Sequence, residues 1–169
     1  MGMIWNMVSW FDYQLAKVKP SPSRFERRKN INTFDCDGVI FINEEVGGVH
    51  PGPYDIIITG RSFEEVPETR EMLRNRGIYN RVFFNRAKFE AKTRKGSGLH
   101  KAETIKRLQK LGYSIGVHFE DDETQAEIIR KHCPDITVVM IVHNLTNKEN
   151  VRHQRKAGPV HTSSTPTRG

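Results

Sequence analysis

The run FDCDGVIF, residues 34–41, places two aspartates on either side of one cysteine in an otherwise apolar stretch. Each carboxylate raises the pKa of the other, and burial beside a strand raises both, so the pair needs a compensating charge. Mg²⁺ is a hard cation that binds carboxylate and carbonyl oxygens, and it would keep Asp35 and Asp37 ionised. Gly38 allows the chain to turn sharply after them. The alternative is an ordinary turn rich in aspartate at the end of a strand.

Short apolar runs alternate with helical patterns around this stretch. Five runs are typical of strands: 31–35, 55–59, 81–85, 114–119 and 136–142. Three segments between them have helical spacing: 64–76, 99–111 and 123–132. Strands that alternate with helices predict right-handed crossovers, a parallel sheet and an α/β fold. Ligands bind such sheets beyond the carboxyl ends of the strands, and the polar motifs fall at those ends or at helix starts.

A second polar group, TGR, begins at the last residue of the predicted strand 55–59. Thr59 offers a hydroxyl, Gly60 permits close approach of the backbone, and Arg61 offers a fork of donors to phosphate oxygens. Lys101 lies near the predicted start of a helix, where the macrodipole favours anions rather than a cation. Taken singly, these groups also fit a capped turn and an exposed surface lysine.

The acidic run Glu120–Asp122 ends the fourth predicted strand and precedes a helix. Acids are favourable at a helix start, so the run alone has an ordinary structural explanation. Together with the other groups it completes the set that phosphoryl transfer needs. One carboxylate can attack phosphorus, a second can act as general acid and base, and the remaining groups can bind phosphate and metal.

The order DCDG, TGR, Lys and DD resembles that of the haloacid dehalogenase-like hydrolases, specifically of their phosphatases, over residues 31–142. The resemblance implies a three-layer, Rossmann-like parallel sheet with helices on both faces. It implies that Asp35 is the nucleophile and a metal ligand. Asp37 would be the general acid and base, and it would also give a backbone carbonyl to Mg²⁺.

The same resemblance implies that Thr59 binds the phosphoryl group and that Lys101 bridges the nucleophile and the phosphate. Asp122 would be the further metal ligand, with Asp121 close behind it. The segments TGR and DDETQAEIIRKH are most similar to the phosphatase domain of polynucleotide kinases, which removes 3′-phosphates from nucleic acid ends. The chain departs from the family pattern where Val39 replaces a common threonine. Polar residues also stand at positions that are usually apolar: Asn32, Thr33, His118 and Glu120.

Only 15 residues, 39–53, separate the first motif from the next predicted strand. This length allows a hairpin flap but no cap domain, so we expect an open site that suits a large substrate. No histidine belongs to a convincing cluster, and only His100, next to Lys101, is a candidate for testing.

The net charge of +7 is unevenly distributed. The segments 17–30, 86–98 and 147–169 carry +13 between them, which leaves −6 for the rest of the chain. Basic segments on an acidic body favour a polyanionic partner, although solvated loops and tails are the alternative. Segment 86–98 follows a predicted strand and holds Phe89, so it could track a phosphodiester backbone and stack a base. Its candidate substrate-binding residues are Lys88, Lys92, Arg94 and Lys95.

The chain divides into three predicted parts. Residues 1–30 comprise an amphipathic helix and a basic linker, 31–146 the phosphatase domain, and 147–169 a basic tail that is expected to be disordered. We expect no signal peptide, and no apolar run in the sequence is long enough to span a membrane. Two cysteines are too few for a disulfide framework. These features predict a soluble, cytoplasmic protein without a membrane partner.

The sequence therefore predicts a Mg²⁺-dependent phosphomonoesterase that acts through an aspartyl-phosphate on phosphorylated nucleic acid ends or nucleotides. Three alternatives stay open: a small-molecule phosphatase such as a nucleotidase, a phosphoprotein phosphatase, and a nucleic-acid-binding module that retains the scaffold without activity. The oligomeric state is left open.

Overall fold

A computed structural model of the chain describes residues 30–43 and 46–143. The predicted N-terminal helix and the basic tail lie outside these residues, and so does nearly all of the basic linker. The division of the chain into three parts therefore stays a prediction. Within the described residues, no helix combines the length and the apolar character that crossing a membrane requires.

Five strands form one parallel sheet in the order β3-β2-β1-β4-β5. The strands are β1 (Asn30–Phe34), β2 (Ile56–Ser62), β3 (Arg81–Asn85), β4 (Ser114–Glu120) and β5 (Thr137–Met140). In the central strand, Phe34 pairs with Ile57 of β2 on one side and with Phe119 of β4 on the other. The parallel sheet and the α/β fold predicted from the alternating pattern are confirmed, and the arrangement is Rossmann-like, as the family resemblance implied.

The described part of the chain holds three α-helices, each of which follows a strand: α1 (Val66–Asn75), α2 (Arg94–Lys110) and α3 (Glu123–His132). The helix predicted over 99–111 begins earlier than expected, at Arg94. The reason is local, since the Thr93 hydroxyl accepts a hydrogen bond from Gly96 N at 2.9 Å and thereby caps the first turn. The predicted basic loop 86–98 is consequently a short 3₁₀ turn, Phe89–Ala91, followed by the start of α2.

Helices cover both faces of the sheet. Successive strand residues point to opposite faces, so each face carries apolar side chains that a helix can bury. Ile56 and Ile58 of β2 belong to a core cluster with Ile105 of α2 and Ile129 of α3. The residue between them belongs to a second cluster, which includes Leu73 of α1. The sheet thereby separates two apolar cores.

The segment after the first motif folds back on itself, as a hairpin would. Gly48 N donates to Ile40 O at 2.9 Å, and Val49 N donates to Val39 O at 2.8 Å. Its apolar side chains are buried in the second core cluster, from Val39 to Phe41. Part of the predicted flap is thus a structural element of the core.

Candidate active site

Asp35 directly follows the central strand and lies beside Lys101 of α2. Lys101 Nζ is 2.9 Å from Asp35 Oδ2 and 2.6 Å from Glu120 Oε2, and the lysine side chain is fully buried. Burial alone would lower the pKa of Lys101, but the two carboxylates raise it above its ordinary value. The predicted contact between Lys101 and the candidate nucleophile is therefore present in the structure.

Acids from the ends of β1 and β4 meet because these strands are neighbours in the sheet. Carboxylate oxygens of Asp35, Glu120 and Asp121 all lie within 4.8 Å of one another. Glu120 was not a predicted site residue, although its polar side chain at a strand position where an apolar one is usual was a signal. Carboxylate oxygens are hard ligands, so the group fits a divalent cation such as Mg²⁺. Asp35 and Asp121 would offer these ligands, because the Glu120 carboxylate is engaged by Lys101 and by other donors.

Asp35 is nearly buried, and its surroundings disfavour its charge. Burial raises the pKa of Asp35 to about 7, because the opposing effect of Lys101 is outweighed and the charges of Glu120 and Asp121 add to the rise. The raised pKa of Asp35 is therefore the electrostatic cost that was expected from burial and from neighbouring carboxylates. A bound divalent cation would offset the excess of negative charge and keep Asp35 ionised.

Asp122 occupies a different place from its neighbour in sequence. It caps α3, where its Oδ1 accepts a hydrogen bond from Gln125 N at 3.1 Å, and its Oδ2 lies 3.5 Å from Arg94 Nε. The group of close carboxylates contains Asp121 and not Asp122. The assignment of Asp122 as a direct metal ligand stays a prediction, and the geometry favours Asp121 for that role.

Gly38 lies directly against the Asp121 carboxylate. Its φ of 79° falls in the left-handed region, and a Cβ added there would lie only 1.7 Å from Asp121 Oδ2. The glycine of the DCDG motif is therefore required both by the turn and by the approach of the acid from β4.

Asp37 and Arg61 form a two-pronged ion pair. Arg61 Nε is 2.8 Å from Asp37 Oδ2, and Arg61 Nη2 is 2.6 Å from Asp37 Oδ1. The arginine side chain is buried and its Nη1 donates to Thr69 Oγ1 at 3.1 Å, whereas the aspartate is 51% exposed. The Arg61 guanidinium, which was predicted to bind phosphate, is thus bound to the carboxylate of Asp37, the predicted general acid and base.

Thr59 and Gly60 lie next to this pair at the end of β2. The buried Thr59 hydroxyl accepts a hydrogen bond from Arg61 N at 3.1 Å. A Cβ on Gly60 would lie 2.9 Å from Ser97 Oγ, so the glycine lets the strand end approach the first turn of α2, as expected of a close backbone contact.

The four basic candidates differ in their surroundings. Lys88 and Lys95 are exposed, and Arg94 is half exposed beside Asp122. Lys92 pairs with Glu65 and lies 4.5 Å from the centroid of the neighbouring Phe89 ring. Lys92 therefore forms a structural ion pair with Glu65, and its ammonium covers one face of the Phe89 ring.

Two histidines lie near the acids although the sequence pattern assigned them no role. His143 follows β5, and its Nε2 is 3.1 Å from Gly38 O and 4.0 Å from Asp121 Oδ2. His118 is buried within β4 and contacts Glu120. Its polar ring at a strand position that is usually apolar was a signal, whereas the sequence offered no signal for His143.

The chain matches no protein-family model and no curated protein sequence. Membership of the haloacid dehalogenase-like family therefore stays a prediction, and support for a function comes from the geometry of the site.

Proposed function

We propose that the chain is a Mg²⁺-dependent phosphomonoesterase in which Asp35 forms an aspartyl-phosphate. The observation that carries this proposal is the position of Asp35. It stands at the carboxyl end of the central strand, 2.9 Å from the buried ammonium of Lys101 and within 4.8 Å of the Asp121 carboxylate. A carboxylate placed in this way can act as a nucleophile toward a phosphoryl group.

The reaction would use two aspartates in turn. A carboxylate oxygen of Asp35 attacks phosphorus, and the bond between phosphorus and the leaving oxygen breaks while Asp37 donates a proton to that oxygen. Asp37 then takes a proton from water, whose oxygen attacks the acyl phosphate and releases phosphate and the Asp35 carboxylate. Asp35 is oriented for this role by Cys36 N, which donates to its Oδ1 at 2.7 Å.

Other residues of the chain would stabilise the phosphoryl group. Lys101 would offset charge on the phosphoryl oxygens, and Thr59 and Arg61 would donate hydrogen bonds to them. The carboxylates of Asp35 and Asp121 would hold Mg²⁺, which would supply further positive charge beside those oxygens. Cys36 would take no part as a nucleophile, because burial raises the pKa of its thiol.

We propose phosphorylated nucleic acid ends as the substrate class. The support is the basic surface at the start of α2. In this surface Arg94 contacts Asp122, which is next in sequence to Asp121 of the group of close carboxylates. Exposed Lys88 and Lys95 extend this surface, and such a surface suits a phosphodiester backbone. Nucleotides and small phosphate esters lack the additional phosphates that these residues would contact.

A phosphatase assay tests the proposal directly. The wild-type chain should release phosphate from a 3′-phosphorylated oligonucleotide with Mg²⁺ and not with a chelator. It should act more slowly on nucleoside monophosphates. Asp35→Asn should abolish turnover, whereas Glu123→Gln, which alters an exposed acid paired with Arg130, should leave it unchanged. Borohydride reduction during turnover should convert Asp35 to homoserine, and an unmodified Asp35 would reject the covalent intermediate.

A further inference from the structure

Buried side chains form a continuous chain of polar contacts from the sheet to Asp35. Thr33 Oγ1 on β1 lies 2.8 Å from His118 Nδ1 on β4, and His118 Nε2 lies 3.3 Å from Glu120 Oε2. The same carboxylate oxygen is 2.6 Å from Lys101 Nζ, which is 2.9 Å from Asp35 Oδ2. The first four residues have no exposed surface, and Asp35 is only 5% exposed.

The pairing of β1 with β4 imposes these contacts. Thr33 and His118 are direct partners across the two strands, and His118 and Glu120 are two residues apart, so they project from the same face of β4. Burying a histidine and a carboxylate is costly unless every polar atom is satisfied. An apolar pair would fill these strand positions at lower cost, so the polar pair calls for a role outside packing.

Glu120 is held by four donors. Its Oε1 accepts hydrogen bonds from Asp121 N at 3.1 Å and Asp122 N at 3.2 Å, while its Oε2 contacts His118 and Lys101. These contacts occupy the lone-pair positions of the carboxylate.

Glu120 Oε2 is bound to the ammonium of Lys101 at 2.6 Å, and a carboxylate oxygen in such a contact accepts hydrogen bonds. His118 Nε2 therefore carries the proton of its contact with Glu120. On the other side of the ring, Nδ1 lies 2.8 Å from Thr33 Oγ1, which also lies 3.4 Å from Val117 O. The ring is thus held at both nitrogens, with the Nε2 proton directed at Glu120.

We propose that His118 is a positioning residue that holds Glu120, and through it the ammonium of Lys101, in place during the reaction. This inference rests on the phosphomonoesterase function proposed above. When Asp35 is phosphorylated, its carboxylate becomes an acyl phosphate and loses its own charge, and Lys101 loses one of its two carboxylate partners. Glu120, fixed by His118 and the backbone, then remains as the partner that keeps the ammonium beside the phosphoryl group.

Steady-state kinetics on a 3′-phosphorylated oligonucleotide with saturating Mg²⁺ test the role. His118→Leu should lower kcat by about 10-fold or more while KM stays nearly constant, because positioning matters most in the transition state. His118→Gln, whose amide can still donate to Glu120, should recover part of the loss, and Thr33→Val should show a smaller loss. His132→Leu at the far end of α3 is the matched control.

Nitrogen NMR of the histidine rings provides a readout that does not depend on turnover. We expect the wild-type His118 ring to carry a proton at Nε2, directed at Glu120. A ring protonated at Nδ1 alone would overturn the inference. A kcat equal to that of the wild type in both His118→Gln and Thr33→Val would also overturn the inference. This test holds even if His118→Leu does not fold. A wild-type chain with no phosphatase activity would instead overturn the proposed function and, with it, the catalytic role of His118.

Discussion

Arg61 holds Asp37 with two donors of one guanidinium, Nε at 2.8 Å from Oδ2 and Nη2 at 2.6 Å from Oδ1. This contact joins the residue proposed to bind phosphate to the residue proposed to transfer protons. Because Nη1 is anchored on Thr69 at 3.1 Å, the guanidinium stays at the end of β2, and only its exposed partner can turn away easily. An arriving phosphoryl group would therefore compete with Asp37 for the same fork.

Arg61→Lys should lower kcat/KM by roughly 100-fold, because an ammonium cannot make a planar, two-pronged contact with a carboxylate or a phosphate. Steady-state kinetics on a phosphorylated oligonucleotide measure this loss. Arg130→Lys, which alters an exposed ion pair with Glu123, is the control and should have little effect. A loss of comparable size in the control would show that the effect is not specific to the site.

Without a cation, the difference in stability between wild type and Asp35→Asn should depend on pH. The folded-state pKa of Asp35 is raised from 3.8 to about 7, so the folded chain binds this proton more tightly than the unfolded chain does. The contribution of Asp35 to the free energy of unfolding is therefore fully present below pH 4 and lost as the pH rises through 7. Its upper limit is about 4 kcal/mol.

Urea denaturation of both chains at pH 5 and pH 8, with a chelator present, measures this difference. The wild type should lose stability relative to Asp35→Asn between the two pH values, and Mg²⁺ should restore the wild type at pH 8. A difference between the chains that is the same at both pH values would mean that Asp35 titrates normally.

Asp121→Asn should weaken Mg²⁺ binding far more than Asp122→Asn. The reason is geometric, since Asp121 belongs to the group of close carboxylates and Asp122 caps α3. Titration calorimetry with Mg²⁺ alone measures both affinities. Thermal unfolding should show little loss of stability in Asp122→Asn, because an asparagine Oδ1 can still accept the capping hydrogen bond from Gln125 N. The reverse order of affinities would assign the direct ligand to Asp122, as the family resemblance implied.

The basic residues should separate into two classes when oligonucleotide binding is measured at several salt concentrations. Lys88→Ala and Lys95→Ala should each reduce the slope of log K against log[salt] by about 0.7, the value for one phosphate contact on a single strand. Lys92→Ala should leave the slope unchanged and lower stability instead, because Lys92 pairs with Glu65. Lys110→Ala, at the other end of α2, is the neutral control.

An unchanged slope in both Lys88→Ala and Lys95→Ala would remove this surface from the substrate site. A reduced slope in Lys92→Ala would mean that its pairing with Glu65 yields to the nucleic acid.

The sequence by itself predicted the alternation of strands and helices and the placement of the polar motifs at strand ends. These features depend on side-chain period and turn residues, which are local properties. The start of α2 was missed although its cause is local, since Thr93 caps a helix that begins at Arg94 and not at residue 99.

Only the tertiary structure decided which side chains meet. Lys101 contacts Glu120 as well as Asp35 because β4 lies next to β1, and sheet order is a long-range property. Just past the end of β4, the direction of the side chain separates Asp121, whose carboxylate joins the cluster, from Asp122, which caps α3. Composition and spacing carry no information on that direction, so the partners of Glu120, Asp121 and His118 follow from packing alone.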